Sequence, residues 1–372
     1  MVGFLAANGI EETNGNSAFK IGESVAVNEK CFCASLKKDG STFKSQSPNI
    51  GEYADVVAES SISWIDYFLD DFEKETLATA ISMGFSEGLV KSLLTNMRSN
   101  YEDFGNEMGV IVPAILAKGF DVKLNPVMIL IKDNLILSLH TTEVKRFFRL
   151  RRYAGTLMKK FPRKMPKSDI ITSMLVRIID ENNNRNFEHL LEIEEEGDKL
   201  SANLSDSNAP REKLGAQIHD MKHALVVYLS GLWASVDAVN SLRYGDADLL
   251  TDDVKLLEKI SALVYEVNSH IQLAEHLSEV LASGLEVVQS IYNNQLQVFN
   301  NRVALLGGYL AILGTALLVP NTIATALSNP VFELGPKDAP WFINVMIAST
   351  IVSTFFAWII VKKLGLLPKQ PD

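Results

Sequence analysis

The residues best suited to handle an ion lie on one face of an apolar segment near the end of the chain. Stepping alternately by three and four from Asn301 meets Ala304, Gly308, Ala311, Thr315, Leu318, Thr322, Thr325 and Asn329, all small or polar apart from Leu318. The other faces carry Leu305, Leu306, Leu310, Leu313, Leu317, Ile323 and Leu327. Hard cations prefer oxygen donors, and a hydrated cation is met by amide and hydroxyl dipoles rather than fixed charges. On that chemistry Asn301, Gly308, Ala311, Thr315, Thr322, Thr325 and Asn329 are the expected pore-lining residues, with oxygen ligands at both mouths and Thr315 midway. A face of small residues is also what close packing between helices requires. The sequence leaves both readings open. One hairpin cannot enclose a channel, so the pore reading requires a homo-oligomer with these helices ringed about an axis.

Two apolar segments position this face, Val303–Leu327 and Trp341–Val361. Each exceeds the ~20 residues that cross a ~30 Å hydrocarbon layer, so an integral membrane hairpin is expected. Arg302 precedes the first segment and Lys362, Lys363 and Lys369 follow the second, while the connecting loop holds Glu333, Lys337 and Asp338. Basic residues stay on the cytoplasmic side, which places both termini there. The start of the chain, MVGFLAANGIEETNG, lacks the features of a cleavable signal. Upstream, Thr251–Asn301 reads as a long amphipathic helix with Leu256, Ile260, Leu263, Val267, Ile271, Ala274, Leu281, Leu285, Val288 and Tyr292 on one stripe. Nothing interrupts it before Val319, so ~70 residues at 1.5 Å each predict a helix of order 100 Å.

The first part of the chain mixes signals. Val25–Leu36 alternates as a strand, Lys38-Asp39-Gly40 makes a turn into Ser41–Lys44, and Val110–Leu116 and Val127–His140 read as strands, the latter broken at Asp133-Asn134. Asp71–Met83 and Ser86–Met97 read as helices with Asp and Ser caps. After Thr142 strand signals vanish: Thr142–Lys160 is a basic helix, Ser168 caps the next, Asn208-Ala209-Pro210 breaks it, and Arg211–Tyr244 follows. The expected organisation is an α/β cytoplasmic domain over 1–165, a helical and stalk region over 166–302, a first span over 303–327, an external loop over 328–340, a second span over 341–361 and a cytoplasmic tail over 362–372.

Other residue types narrow the function. Cys31 and Cys33 are expected to face opposite sheet surfaces, unpaired in a reducing cytoplasm. The net charge of −10 argues against a general nucleic-acid binder. His219 and His223 share a helix face one turn apart, a spacing that can hold zinc, but no third ligand accompanies them. The acidic end Glu188–Asp198 and the basic stretch Lys145–Lys167 are read first as solvated helix faces. No phosphate-binding glycine loop, catalytic triad or CxxC pair is present, so neither enzymatic catalysis nor ATP-driven transport has support and no cofactor is expected.

At this point the chain resembles the CorA metal-ion transporter family. Ser63-Trp64-Ile65-Asp66 is similar to its early strand, and the segment Met97–Gly105, reading MRSNYEDFG, to its QRPKYEDYG segment. The strand pair Val127–His140, the long helix, Val319-Pro320-Asn321-Thr322 and the second span ending in Lys362-Lys363 follow in the family's order. The resemblance implies a funnel-shaped homopentamer in the lipid bilayer, passing divalent cations, with cation sites between cytoplasmic domains that close the pore when occupied. A divalent cation would be substrate and regulator. Asp246, Asp248, Asp252 and Asp253 are candidate metal carboxylates, with a plain interhelix turn and helix capping as the other reading. The family's Gly-Met-Asn signature, its outer selectivity ring for hydrated magnesium, is replaced here. Asn329-Pro330-Val331 occupies those positions, and Asn329 is a candidate substitute for the filter amide.

Overall fold

The computed structural model describes residues 30–162, 164–205, 211–244, 247–329 and 335–363. The Asn208-Ala209-Pro210 break, Asp246, Pro330 and Val331 lie outside the described residues. Two compact units divide the chain, residues 1–281 and 282–372.

In the first unit, seven strands form one mixed sheet. They are β1 (Cys31–Lys37), β2 (Thr42–Ser47), β3 (Ser60–Leu69), β4 (Asn100–Asp103), β5 (Glu107–Lys118), β6 (Asp121–Lys132) and β7 (Leu135–Thr141), in the order β2-β1-β3-β7-β6-β5-β4. Only β3 and β7 run parallel; the other neighbours are antiparallel. The expected turns are present: Gly40 at φ 87° closes β1 to β2, and Asp133 at φ 47° closes β6 to β7. The expected strand from Val127 to His140 is thus the β6–β7 hairpin.

Alternation along each strand sends successive side chains to opposite faces. Ile62, Trp64, Val110, Val112, Ile129 and Ile136 enter one core; Ile65, Leu69, Ile111, Leu130, Leu137 and Leu139 enter the other. The same period corrects the expectation for the cysteines. Cys31 and Cys33, two residues apart, lie on the same face and in the same core, buried and unpaired. Burial pushes the Cys33 thiol up to about 11, against a hydrogen bond with Ser35 that works the other way.

The second core is covered by α2 (Phe72–Ser82) and α3 (Glu87–Leu93), preceded by the short α1 (Ala54–Glu59). Asp71 caps α2 through the Lys74 amide and Ser86 caps α3 through the Leu89 amide, as their sequence positions imply. The first core is covered by α4 (Phe148–Met158), α5 (Lys167–Ser205), α6 (Arg211–Tyr244) and the start of α7 (Val254–Leu327). Residues on either side of position 165 therefore share one core, from Trp64 to Leu263. The stripe of α7 is buried at Leu256, Ile260, Leu263, Val267, Ile271, Ala274 and Leu281, whereas Tyr292 is exposed. Gly231 of α6 lies close against the sheet, since a Cβ there would lie 2.7 Å from Leu124 and 2.9 Å from Ile115.

The basic stretch is not uniformly a solvated face. Helix α4 begins at Phe148 rather than Thr142, and Arg146 and Arg151 are buried. Arg151 reaches Asp66 on β3, with Nε donating to Oδ2 at 2.6 Å. His140 on β7 places Nε2 2.9 Å from the other carboxylate oxygen. Phe68 packs edge-on to His140 at 4.8 Å and lies under the Arg151 guanidinium at 4.5 Å. All three charged or polar residues are at most 2 % exposed. Beside them Trp64 donates Nε1 to Ser138 at 2.9 Å. Burial opposes the Asp66 charge, but Arg151 and His140 prevail and hold its carboxyl below the usual range.

Removing that carboxylate leaves a guanidinium buried without its counter-ion. Asp66→Ala should therefore destabilise the first unit by about 3–5 kcal/mol, read as a lower unfolding midpoint of the purified protein. A depressed folded pKa stabilises above the unfolded value of ~3.9 and loses that contribution as pH falls through the folded value. The wild-type midpoint should accordingly fall on acidification below about pH 4, and the Asp66→Ala midpoint should fall less over the same interval.

Candidate functional site

In the second unit the last part of α7 and α8 (Ala339–Lys363) border a common groove. By length and composition three helical segments among the described residues are able to cross a membrane: Leu214–Tyr244, Val254–Leu327 and Pro336–Lys363. The first is committed to the soluble unit, where Ala238, Val239 and Leu242 enter the first core and Leu225, Tyr228 and Leu232 are buried. The other two contain the expected spans and bear large exposed apolar side chains such as Leu310, Leu317, Ile351 and Phe355.

The predicted polar line is exposed along most of its length, Ala304 and Ala311 included. Asn301, Thr322, Thr325 and Asn329 are exposed, whereas Gly308 is buried and Thr315 is half-buried. Ala311 and Thr315 border an open groove shared with Ser349, Ser353 and Ala357 of α8. Small residues of both helices line this groove, and Ala311 is itself exposed. The exposed members have a different chemistry. Thr322 donates its hydroxyl to the Leu318 carbonyl and Thr325 to the Asn321 carbonyl, both at 2.8 Å. Thr315 does the same to Ala311 at 2.8 Å. With the proton spent inside the helix, each hydroxyl presents an oxygen lone pair outward. A hydrated cation directs water hydrogens outward, and such acceptors are what it meets favourably. Pro320 sits within α7 and supplies no amide hydrogen to the preceding turn.

The candidate metal carboxylates stand at the start of α7. Asp253 accepts from the Lys255 amide at 2.7 Å, which is a helix-capping contact, and its own amide donates to Thr251 Oγ1 at 2.9 Å. Asp248 and Asp252 are exposed. No group of three or more His, Cys, Asp or Glu residues suited to a metal occurs among the described residues. His219 and His223 are exposed on α6.

Sequence reasoning missed the role of Arg146. Its guanidinium, buried between β5 and α5, donates to the Ile115 carbonyl at 2.7 Å, to Asn182 Oδ1 at 2.8 Å and to Asn186 Oδ1 at 2.6 Å. Burial and the neighbouring Arg185 push its pKa down. Arg149, one turn on, meets the buried Glu181 at 2.9 Å. The spacing of Asn182 and Asn186 on the α5 face that carries Ile178 and Ile179 nearby was the available signal, since amides within an apolar helix face need a partner.

Comparison with known proteins places this architecture. The family model described as "CorA-like Mg2+ transporter protein" matches residues 59–363. The complete CorA magnesium transporter of Methanocaldococcus jannaschii is similar in fold, with a TM-score of 0.65 at 19% identity, covering 90% of this chain and 98% of that one. The full-length CmaX protein gives a TM-score of 0.58 at 14% identity, over 92% and 99% of the two chains. The ZntB cytoplasmic domain of Vibrio parahaemolyticus gives 0.53 at 12% identity, over 71% and 98%. No curated protein matches the sequence.

The capping contact of Asp253 needs no metal. Asp253→Ala should cost about 0.5–2 kcal/mol, seen as a lower unfolding midpoint in chelator-treated buffer, and Asp252→Ala should leave that midpoint unchanged.

Proposed function

The chain belongs to the family of CorA-like Mg2+ transporter proteins, and from that membership we propose that it passes a divalent cation through a homopentameric pore lined by α7. The observation that carries this reading is the exposed set of oxygen acceptors on one face of a membrane-spanning helix. Polar groups in a span are retained where they line a water-filled path or meet a partner. Asn301 forms the inner constriction, and Thr322, Thr325 and Asn329 form the outer mouth. Gly308, Ala311 and Thr315 give the intervening wall its small residues. The cation is the substrate, drawn inward by the membrane potential, with both termini in the cytoplasm. Asp248 and Asp252 serve as regulatory cation contacts between protomers, with Asp253 beside them at the helix start.

A second reading is favoured by one observation. Asn329-Pro330-Val331 stands where the family signature is Gly-Met-Asn, which suits a protein that keeps the fold as a membrane scaffold or ion sensor without passing ions.

Flux assays on proteoliposomes separate the two. Under an imposed inside-negative potential, at least one of magnesium, cobalt, nickel or zinc should enter. Asn301→Leu replaces the amide of the inner constriction with a branched alkyl group and should lower that flux at least tenfold, about 1.4 kcal/mol of added barrier. If none of the four ions moves, the scaffold reading replaces the transport reading.

A further inference from the structure

We propose that residues 1–29 of the chain dock onto the exposed basic face of α4 beside the β2 edge, their glutamates meeting its unpaired cations. One run of sequence builds this face: residues 144–168 hold ten Lys or Arg and no Asp or Glu. Arg146 and Arg151 turn inward and are buried, and Arg149 meets Glu181. Arg152, Lys159, Lys160, Lys164 and Lys167 stay exposed. Lys44 of β2 joins them, its Nζ donating to the Arg152 carbonyl at 3.2 Å. None of these six cations forms an ion pair among the described residues. Lys159 and Lys160 continue the last turn of α4, their amides donating to the Gly155 and Leu157 carbonyls. At 3.6 residues per turn, Arg152, Lys159 and Lys160 therefore lie within about 100° of one another around the helix. Like charges held this close repel, and an acidic partner relieves that repulsion.

Charge, tether length and an open strand edge point to the occupant. Residues 1–29, which lie outside the described residues, contain Glu11, Glu12, Glu23 and Glu29 against the single Lys20. They lead into β1 at Cys31, which pairs with Ser47 at one end of β2. At the other end of β2, a Cβ on Gly155 of α4 would lie 3.9 Å from Thr42. The basic face thus stands over the strands where the segment joins the sheet. At ~3.3 Å per extended residue, Glu23 reaches up to ~23 Å from Lys30 and Glu11 up to ~60 Å. The distance from Arg152 to Lys160 along the helix is only ~12 Å. A tether this short holds the glutamates at roughly millimolar local concentration. Because β2 is an edge of the sheet, a segment passing over Lys44 also covers that edge. The acidic run on α5 of a second copy is a poorer match. There Glu188 is occupied by Arg185, Glu192 by His189, and Glu195 and Glu196 by Lys199. The inference requires no ion to pass.

The test treats the full chain, purified in detergent, with a carbodiimide that joins touching carboxylates and amines, and identifies the products by peptide mass spectrometry. Cross-links should join Glu11, Glu12 or Glu23 to Lys44, Lys159, Lys160 or Lys164. Their yield should fall at least threefold between about 50 and about 500 mM sodium chloride. Lys159→Glu with Lys160→Glu should remove the links at those positions, and adding Glu11→Lys with Glu12→Lys should restore them in the reversed sense, with unchanged helicity by circular dichroism in each variant. Glu11→Gln, Glu12→Gln, Glu23→Gln and Glu29→Gln together leave both cores untouched and should raise the acetylation rate of Lys159 and Lys160 at least twofold. Absence of the cross-links in the wild type overturns the proposal, as does an acetylation rate that the four Gln substitutions do not move. Co-expressing a copy without the four glutamates and a copy without the four lysines leaves only copy-to-copy pairs. Cross-links at wild-type yield in that pair also overturn the proposal, by showing a second chain on the face.

Discussion

The Asp66 carboxylate, shared between Arg151 and His140 inside the first core, is the constraint on which the soluble unit is organised. It joins the parallel strand pair of the sheet, β3 and β7, to helix α4. A charge in such a place is tolerated because its partners are fixed at 2.6 and 2.9 Å and aromatic rings exclude water around them. The next turns of the same basic segment extend the order outward. Arg146 ties β5 to α5 through amides and a carbonyl, and Arg149 meets Glu181. One basic stretch thus registers the sheet, α4 and α5 against each other. Hydrophobic contact alone is non-directional and would specify that register less narrowly.

In the helix pair the governing rule is different. Hydrocarbon offers a polar group no partner, so hydroxyls must be satisfied by the helix that carries them. Thr315, Thr322, Thr325, Ser349 and Ser353 all comply by donating to a carbonyl three or four residues back. The same bond then has two outcomes according to what faces the oxygen. Where the other helix faces it, as at Thr315, Ser349 and Ser353, the oxygen borders the groove the two helices share. Where the face is open, the oxygen is an acceptor surface suited to hydrated ions.

Much of this was legible in the sequence. The bounds of α6 coincide with the expected Arg211–Tyr244, the β1–β2 and β6–β7 turns fall at their glycine and Asp-Asn signals, and both apolar segments lie within helices. These features are local, set by periodicity and turn chemistry within a few residues. What escaped was set by distance in the chain. Arg146 and Arg151 look like any solvated arginine until strands some tens of residues away bring Ile115 and Asp66 to them. The cysteines were misassigned for a simpler reason: positions i and i+2 share a face of a strand. At the candidate site the line of small and polar residues was visible, but which of its members border the groove beside α8 depends on where α8 lies, and the hydrophobic pattern of either helix alone does not fix that.

The parallel pairing of β3 with β7 also has a meaning in time. Asp66 and His140 are 74 residues apart in the chain, and at ~5–20 residues per second a ribosome needs roughly 4–15 s to deliver the second after the first. During that interval β1, β2 and β3 can form their antiparallel three-stranded portion, in the order β2-β1-β3, but the central position beside β3 stays open. The Asp66 carboxylate then waits in a half-built sheet for both of its cationic and imidazole partners, which emerge within a dozen residues of each other. The sheet closes and its buried charge is neutralised in the same step, well before the two membrane-crossing segments are synthesised.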